Sequence, residues 1–392
     1  MKVLVAFGTR PEAIKLAPVI AELRRRSGFD LTVAVTAQHR ELLDQVLDVF
    51  DITTDIDLAL MQPSQSLASL TSRVVLAMDE LIDARQPDLT IVQGDTTSAF
   101  VAALASFYRG VPVVHVEAGL RTSTALNPFP EELNRRLTTV VAALHCAPTT
   151  LAERALLASG VSPSAVVVTG NTIVDALQHV LRSPAMAAAT LPSGIDPQRR
   201  LILVTVHRRE NWTNLPDICA ALRAIVEARP DVQIALPVHP NPIVQDTLAR
   251  ELRGTDRIVL LPALDYLSFI KVMSASWIVL TDSGGVQEEA PVLGKPVLVM
   301  REETERPEAI DAGVARIVGS RREGIVAGVL DLLTSDAARE RMAQPVSPFG
   351  DGRAAGRIAD AIELRRGEIE SFRWREGNPR AREILRNSHV EQ

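Results

Sequence analysis

KVLVAFGTRPEAIKLAPVIAELRRR, residues 2–26, contains the unit from which the rest of the chain is built. Its first six residues are almost wholly apolar. A short polar stretch, GTRPE, follows, and then apolar residues recur at helical spacing. An apolar run rich in β-branched residues, without polar alternation, suits a strand buried on both faces, as in a parallel sheet. Pro11 suits the first turn of a helix, where its missing N–H costs little.

The same order of strand, polar loop and helix recurs along the sequence. Strand-like runs follow at LTVAVT (31–36), LTIVQG (89–94), VPVVHV (111–116) and AVVVTG (165–170). A second set comprises LILVTV (201–206), VQIALP (232–237), IVLL (258–261), WIVLTD (277–282), PVLVM (296–300) and ARIVG (315–319). LPDICAALRAIVEA (215–228) repeats the helical period. Alternation of this kind predicts an α/β protein with doubly wound parallel sheets, and the list divides into two halves. The break is expected around 181–200, LRSPAMAAATLPSGIDPQRR, which mixes Ala, Pro, Gly and Ser as a linker would. Two Rossmann-like domains whose sheets face a central cleft are the expected architecture.

Composition narrows the function classes. A chain of 392 residues has room for two or three domains. Its 42 basic and 48 acidic residues leave a net charge of −6, which argues against a general nucleic-acid binder. Apolar residues make up 46% of the chain, which argues against disorder. Two cysteines, Cys146 and Cys219, cannot make a disulfide framework or a cysteine-rich zinc site. The apolar start of MKVLVAFGTRPE is too short for a signal peptide or a membrane span, and no later run reaches a span's length. The expectation is a soluble, cytoplasmic protein with no membrane partner.

The residues able to do chemistry directly follow the strand runs: GTRPEAIK, AQHRE, GDTTS, EAGLR, HRREN, HPNP, DSGGVQEE and REETERPE. Ligands of open α/β sheets bind at the carboxyl ends of the strands. Asp282-Ser283-Gly284-Gly285 joins a strand to a helix expected near Val286, and small residues there let backbone N–H groups approach a phosphate. The same residues would also make an ordinary tight turn. Glu288 and Glu289 are expected in the first helical turn, with Glu289 in reach of a ribose hydroxyl. Arg10 and Lys15, after the first strand, could meet a diphosphate from the other side. Asp95, Glu117 and Glu131 are carboxylates at the first sheet's edge, and His207 and His239 follow strands in the second half. Carboxylates and a histidine suit proton abstraction from carbon with protonation of a leaving group. Each residue alone could equally be a cap or an ion-pair partner. No HExxH or close histidine pair marks a metal site. His145, His179 and His389, in helix-like or tail contexts, are assigned no role.

FGTRPEAIKLAPVI, TAQHRELLDQVL, QGDTTSAFVAALASFY, HVEAGLRT, NPFPEELNRRL, TGNTIVDAL, HRREN, VHPNP, TDSGGVQEEAPVLGKPVL and RPEAIDAG, in this order across roughly residues 2–365, resemble the non-hydrolysing UDP-N-acetylglucosamine 2-epimerases. The resemblance implies a glycosyltransferase-B type fold, commonly as a homodimer. It implies a first domain over residues 1–172, a UDP-binding domain over 173–349, a helix at about 350–366 returning to the first domain, and a charged tail over 367–392. The implied reaction interconverts UDP-N-acetylglucosamine and UDP-N-acetylmannosamine by eliminating UDP to a glycal and adding it back, without a cofactor or metal.

On this resemblance Asp95, Glu117, Glu131 and His207 match catalytic positions. Arg10, His239, Ser283, Gly284, Gly285 and Glu289 match positions that hold UDP, with Lys15 and Arg306 close by. Gln38, Arg208 and His239 resemble part of a second, activating site for UDP-N-acetylglucosamine. Two departures concern substrate detail: HRREN runs on into Trp212-Thr213-Asn214 rather than a glycine turn, and Ala125-Leu126-Asn127 precedes PFPEE. Other readings are a 2-epimerase of a modified UDP-sugar such as a diacetamido uronic acid, a glycosyltransferase of the same fold, and a nucleotide-sugar sensor.

Overall fold

The computed structural model describes residues 1–36, 40–60 and 65–372. The chain divides into two compact units: Met1–Ala176 with the residues from Gly350 onward, and Leu177–Phe349. No described helix is long and apolar enough to cross a membrane.

The first unit is built on β1 (Lys2–Phe7), β2 (Asp30–Val35), β3 (Ile56–Asp57), β4 (Leu89–Gln93), β5 (Val113–Val116), β6 (Leu144–Ala147) and β7 (Val166–Val168). They form one sheet in the order β3-β2-β1-β4-β5-β6-β7, with every pairing parallel. All residues of β4, β5 and β6 are buried, as a sheet covered on both faces requires. His145 lies in β6, not in a helix. Its strand, LHCA, has no β-branched residue, and pairing between β5 and β7 sets its conformation.

The helix Arg10–Arg25 after β1 starts with a capping box. Glu12 Oε2 accepts the Thr9 N–H at 2.6 Å, and the Thr9 hydroxyl accepts the Glu12 N–H. Pro11 stands in its first turn, and Arg24 and Arg25 in its last, where positive charge suits the helix dipole. The helix Ala354–Leu364 packs against it. Arg26 binds Asp360 and Glu363 at 2.7 and 2.8 Å, and Asp175 accepts the first N–H groups of that helix, from Ala354 and Ala355.

The second unit holds β8 (Arg200–Thr205), β9 (Val232–Pro237), β10 (Ile258–Leu261), β11 (Ile278–Thr281), β12 (Val297–Val299) and β13 (Ala315–Ile317). Their order is β10-β9-β8-β11-β12-β13, again all parallel. The helix Leu215–Ala228 buries Leu215, Ile218, Cys219, Leu222, Ile225 and Val226, a 3–4 residue period facing the sheet. Each such buried Leu or Ile contributes about 1.5–3 kcal/mol. The stretch 181–200 includes a short helix, Pro184–Ala188, and the chain passes between units within the helix Thr172–Arg182.

In each sheet the chain reverses its direction of winding at one place, between β1 and β4 and between β8 and β11. Such a switch point leaves a crevice at the carboxyl ends of the two strands, the usual ligand position in this architecture.

Candidate functional site

At the switch point of the first unit, the loops after β1 and β4 are tied together by Glu12. Its buried carboxyl accepts from Gly8 N at 3.0 Å, Thr9 N at 2.6 Å and Thr96 Oγ1 at 2.7 Å. Burial pushes this carboxyl up, against the pull of those hydrogen bonds. The arrangement fixes Arg10, the first residue of its helix, and Asp95 on either side of the crevice.

Glu117 follows β5 and is 8% exposed. Its carboxylate bonds the Lys15 ammonium, the Gln93 amide and Asn171 Nδ2, the last at 3.0 Å. Its φ of 63° is strained for a side chain of this size, at about 1–3 kcal/mol, a cost that clusters at functional sites. Lys15 thus meets a carboxylate within its own unit.

Asp95 follows β4 and is half-buried. Arg135 reaches its Oδ2 at 2.7 Å, and Asn134 Nδ2 donates to its carbonyl at 2.9 Å. Arg135 also pairs at 3.0 Å with Glu132, which is fully buried and accepts from Arg136 and the Thr122 N–H. Glu131 opens the same helix, Glu131–Val141, directly after Pro130. Asp95 and Glu131 are therefore set by one helix that carries Asn134 and Arg135 on its buried side.

At the switch point of the second unit, His207 follows β8 and Asp282 follows β11. The register aligns Thr205 with Thr281, which brings the residues just beyond them side by side. His207 Nδ1 lies 2.7 Å from Asp282 Oδ1. The Asp282 carboxylate also accepts the N–H groups of His207 and Arg208 and Asn211 Nδ2, at 3.0–3.1 Å. Burial works against its charge, but the His207 contact and these hydrogen bonds hold Asp282 below the usual carboxylate range.

The helix after Asp282 begins at Gly284 rather than near Val286, with Ser283 as N-cap. Glu288 and Glu289 consequently fall in its second turn, and no acidic residue occupies the first. Glu289 accepts the Tyr266 hydroxyl at 2.8 Å. Glu288 pairs with Arg306 Nε at 2.6 Å. A Cβ on Gly284 would stand 3.4 Å from the Arg306 guanidinium and 3.7 Å from that of Arg208. A Cβ on Gly285 would meet nothing within 4 Å. Two guanidinium groups thus lie beside the first turn of a helix, whose N–H groups lack intrahelical acceptors, an arrangement suited to an anion.

These arginines are themselves braced. Glu305 lies 3.6 Å from Arg208 and 2.6 Å from Arg301, which binds Glu210 at 2.9 Å. Burial opposes the charge on Glu305, but Arg306, Arg208 and Arg301 hold its carboxyl down to about 2. His239 follows β9, and its Nδ1 accepts the Asn241 N–H at 3.1 Å. Burial, helped by His207, pushes its imidazole below the ordinary value. HRREN runs into a short helix, Arg209–Asn214, and the Trp212 and His239 rings lie 6.4 Å apart, centre to centre. Gln38 lies outside the described residues, as does His389. Among the described residues no group of three or more His, Cys, Asp or Glu could hold a metal ion.

Glu12, Gln93, Arg135 and Asn171 are among the polar residues that sequence reasoning did not single out, although each lies in a stretch quoted above, and Asp282 was noted only as the first residue of the strand-to-helix loop.

Comparison with known proteins gives the family. The family model described as UDP-N-acetylglucosamine 2-epimerase matches residues 21–363. A Ralstonia nicotianae protein named "Probable UDP-N-acetylglucosamine 2-epimerase" is 50% identical over 370 residues, 92% of this chain and 98% of the relative. The UDP-N-acetylglucosamine 2-epimerase of Escherichia coli K12 is 46% identical over 374 residues, 93% of this chain and 99% of its own. The crystal structure of the Neisseria meningitidis enzyme bound to UDP-GlcNAc is similar at a TM-score of 0.89 with 42% identity, covering 93% of this chain and all of that one. With the family model matching residues 21–363, across both units, the chain belongs to the UDP-N-acetylglucosamine 2-epimerase family.

Proposed function

We propose that this protein is an isomerase that interconverts UDP-N-acetylglucosamine and UDP-N-acetylmannosamine by inverting C2. The observation that carries this reading is a family match spanning both units in a chain that retains acid–base side chains after β4, β5 and β8. The C2 hydrogen has no neighbouring ketone to acidify it, so direct deprotonation is too slow. Elimination avoids the difficulty. A carboxylate takes the C2 proton, the C1–O bond breaks with its electron pair going to UDP, and a C1=C2 glycal forms. UDP adds back to C1 as a proton returns to the opposite face of C2. The sequence is redox-neutral and needs no cofactor.

The anion site beside Ser283, Gly284 and Gly285, with Arg306, is assigned to the UDP diphosphate, and Glu289 and His239 to the rest of the nucleotide. Arg10 is assigned to UDP as well. Asp95, Glu117 and Glu131 share the proton transfers at C2, and His207 serves the departing phosphate. Lys15 acts on the reaction through Glu117, which it holds in place. Arg208 stands beside the anion site and is assigned, with Gln38, to a second, activating UDP-N-acetylglucosamine.

The working form is a cytoplasmic homodimer, binding neither nucleic acid nor membrane. Support for the dimer comes from Leu133, Leu137 and Val140, exposed along one face of the helix Glu131–Val141, with Leu126 and Phe129 exposed just before it. Proton NMR of the full chain with UDP-N-acetylglucosamine alone tests the activity, the expected result being a mixture of two UDP-sugars. Release of UDP only with an acceptor would indicate a glycosyltransferase, and binding without turnover a sensor. Turnover of a diacetamido uronic acid nucleotide alone would move the assignment to that substrate.

A further inference from the structure

We propose that Asp282 is a positioning residue for His207, one that keeps the proton on Nδ1 and so makes Nε2 the nitrogen that serves the reaction. The proposal rests on the epimerase reading above. Asp282 is an acceptor only, held as an anion at 0% exposure, so the 2.7 Å contact has His207 Nδ1–H as donor. The His207 side chain is 42% exposed, so one end of the ring is anchored and the other reaches outward.

A neutral His207 then presents a lone pair at Nε2. When Nε2 also carries a proton, that proton can be given up while Nδ1–H stays bound to Asp282. That Nε2 proton passes to the UDP oxygen as the C1–O bond breaks and returns when the bond re-forms, leaving Nδ1–H in place throughout. His239 is fixed the opposite way. Its Nδ1 accepts a backbone N–H, so Nε2 carries its proton and can only donate. The two strand-end histidines of this unit are thus set in complementary tautomers.

The alternative is that Asp282 merely caps the loop from His207 to Asn211. Two measurements separate the roles. The chain has seven histidines, few enough for ring 15N spectra of the full-length protein at about pH 8.5, where an ordinary imidazole is neutral. His207, assigned by its loss in His207→Gln, should be protonated at Nδ1 and His239 at Nε2; an Nε2–H tautomer at His207 overturns the proposal, whether or not any Asp282 variant folds.

In kinetics, Asp282→Asn should lower kcat by about 10²-fold or more, with KM changed less than about threefold. In a His207→Gln background the same change should cost less than a further threefold or so. The full loss in both backgrounds would make Asp282 a loop cap and overturn the proposal. A His207→Gln enzyme turning over at the wild-type rate would instead sink the role given to His207 in the epimerase reading, whatever the tautomer.

Discussion

Removing the charge of Lys15 without its shape should destabilise the first unit severely, and removing the charge of Glu117 as well should restore it. The two side chains are 8% and 7% exposed, and the carboxylate has two further donors, Gln93 and Asn171. In Lys15→Met the buried carboxylate loses its ammonium partner and keeps the Gln93 and Asn171 amides. Breaking a buried pair costs about 3–5 kcal/mol, and the surviving amides place this case near the lower end, at about 3 kcal/mol. Glu117→Gln takes the carboxylate partner away from the buried Lys15 ammonium, with a similar loss. The double variant has no buried charge at this point, and the new amide can still accept from Gln93 or Asn171. It should lie within about 1 kcal/mol of wild type. For a unit of this size, about 2–4 °C accompanies each kcal/mol, so calorimetry should show each single variant melting roughly 6–12 °C lower, with most of the loss recovered in the double. The double should nevertheless turn over at least about 10²-fold more slowly, because its carboxylate is gone. A double variant as unstable as the two single losses summed would refute the pairing argument.

Gly285→Ala should separate stability from binding. The new methyl meets nothing within 4 Å and favours the helix by about 0.5–1 kcal/mol, but it enters the anion site, so calorimetric UDP affinity should fall at least about tenfold. Unchanged affinity would move the diphosphate elsewhere. Leu137→Glu should convert the proposed dimer to monomer in sedimentation, and an unchanged mass would place the interface on another face. His115 and His145 stand side by side in β5 and β6, each with an Nδ1 that finds no partner. Burial pushes them down to about 4 and about 3. Both are neutral when folded, so their stability contribution is complete above about pH 6.5 and declines below it as the unfolded chain takes up protons, at up to 1.4 kcal/mol per pH unit for each. Unfolding in urea across pH 6.5–4.5 should show a shallower slope in His115→Asn, and an identical slope would discount the histidines.

Strand by strand, the sheets were written in their apolar runs, with two exceptions that have physical causes. Ile56–Asp57 is too short to form a pattern, and Leu144–Ala147 contains His and Cys and pairs only because its neighbours are already in place. The residues at strand ends were also legible, since glycine, acids and histidines interrupt apolar runs abruptly. Their partners were not. Glu117 meets Lys15, Gln93 and Asn171 from 102, 24 and 54 residues away, a set that exists only once the strand order is known. The His207–Asp282 pair likewise depends on the register of two strands separated by two intervening ones in the chain. The helix starts at Gly284, two residues earlier than expected, because glycine is a poor helix former and the two glycines of the first turn hide the start from the sequence pattern.

The central claim is that the C2 proton leaves the sugar and another returns. Turnover of UDP-N-acetylglucosamine in D₂O, followed by mass spectrometry and proton NMR, tests it directly. The account predicts UDP-N-acetylmannosamine carrying one deuterium, at C2, and progressive deuteration of the recovered substrate at the same carbon. Epimerised product that keeps its original hydrogen at C2 would contradict it.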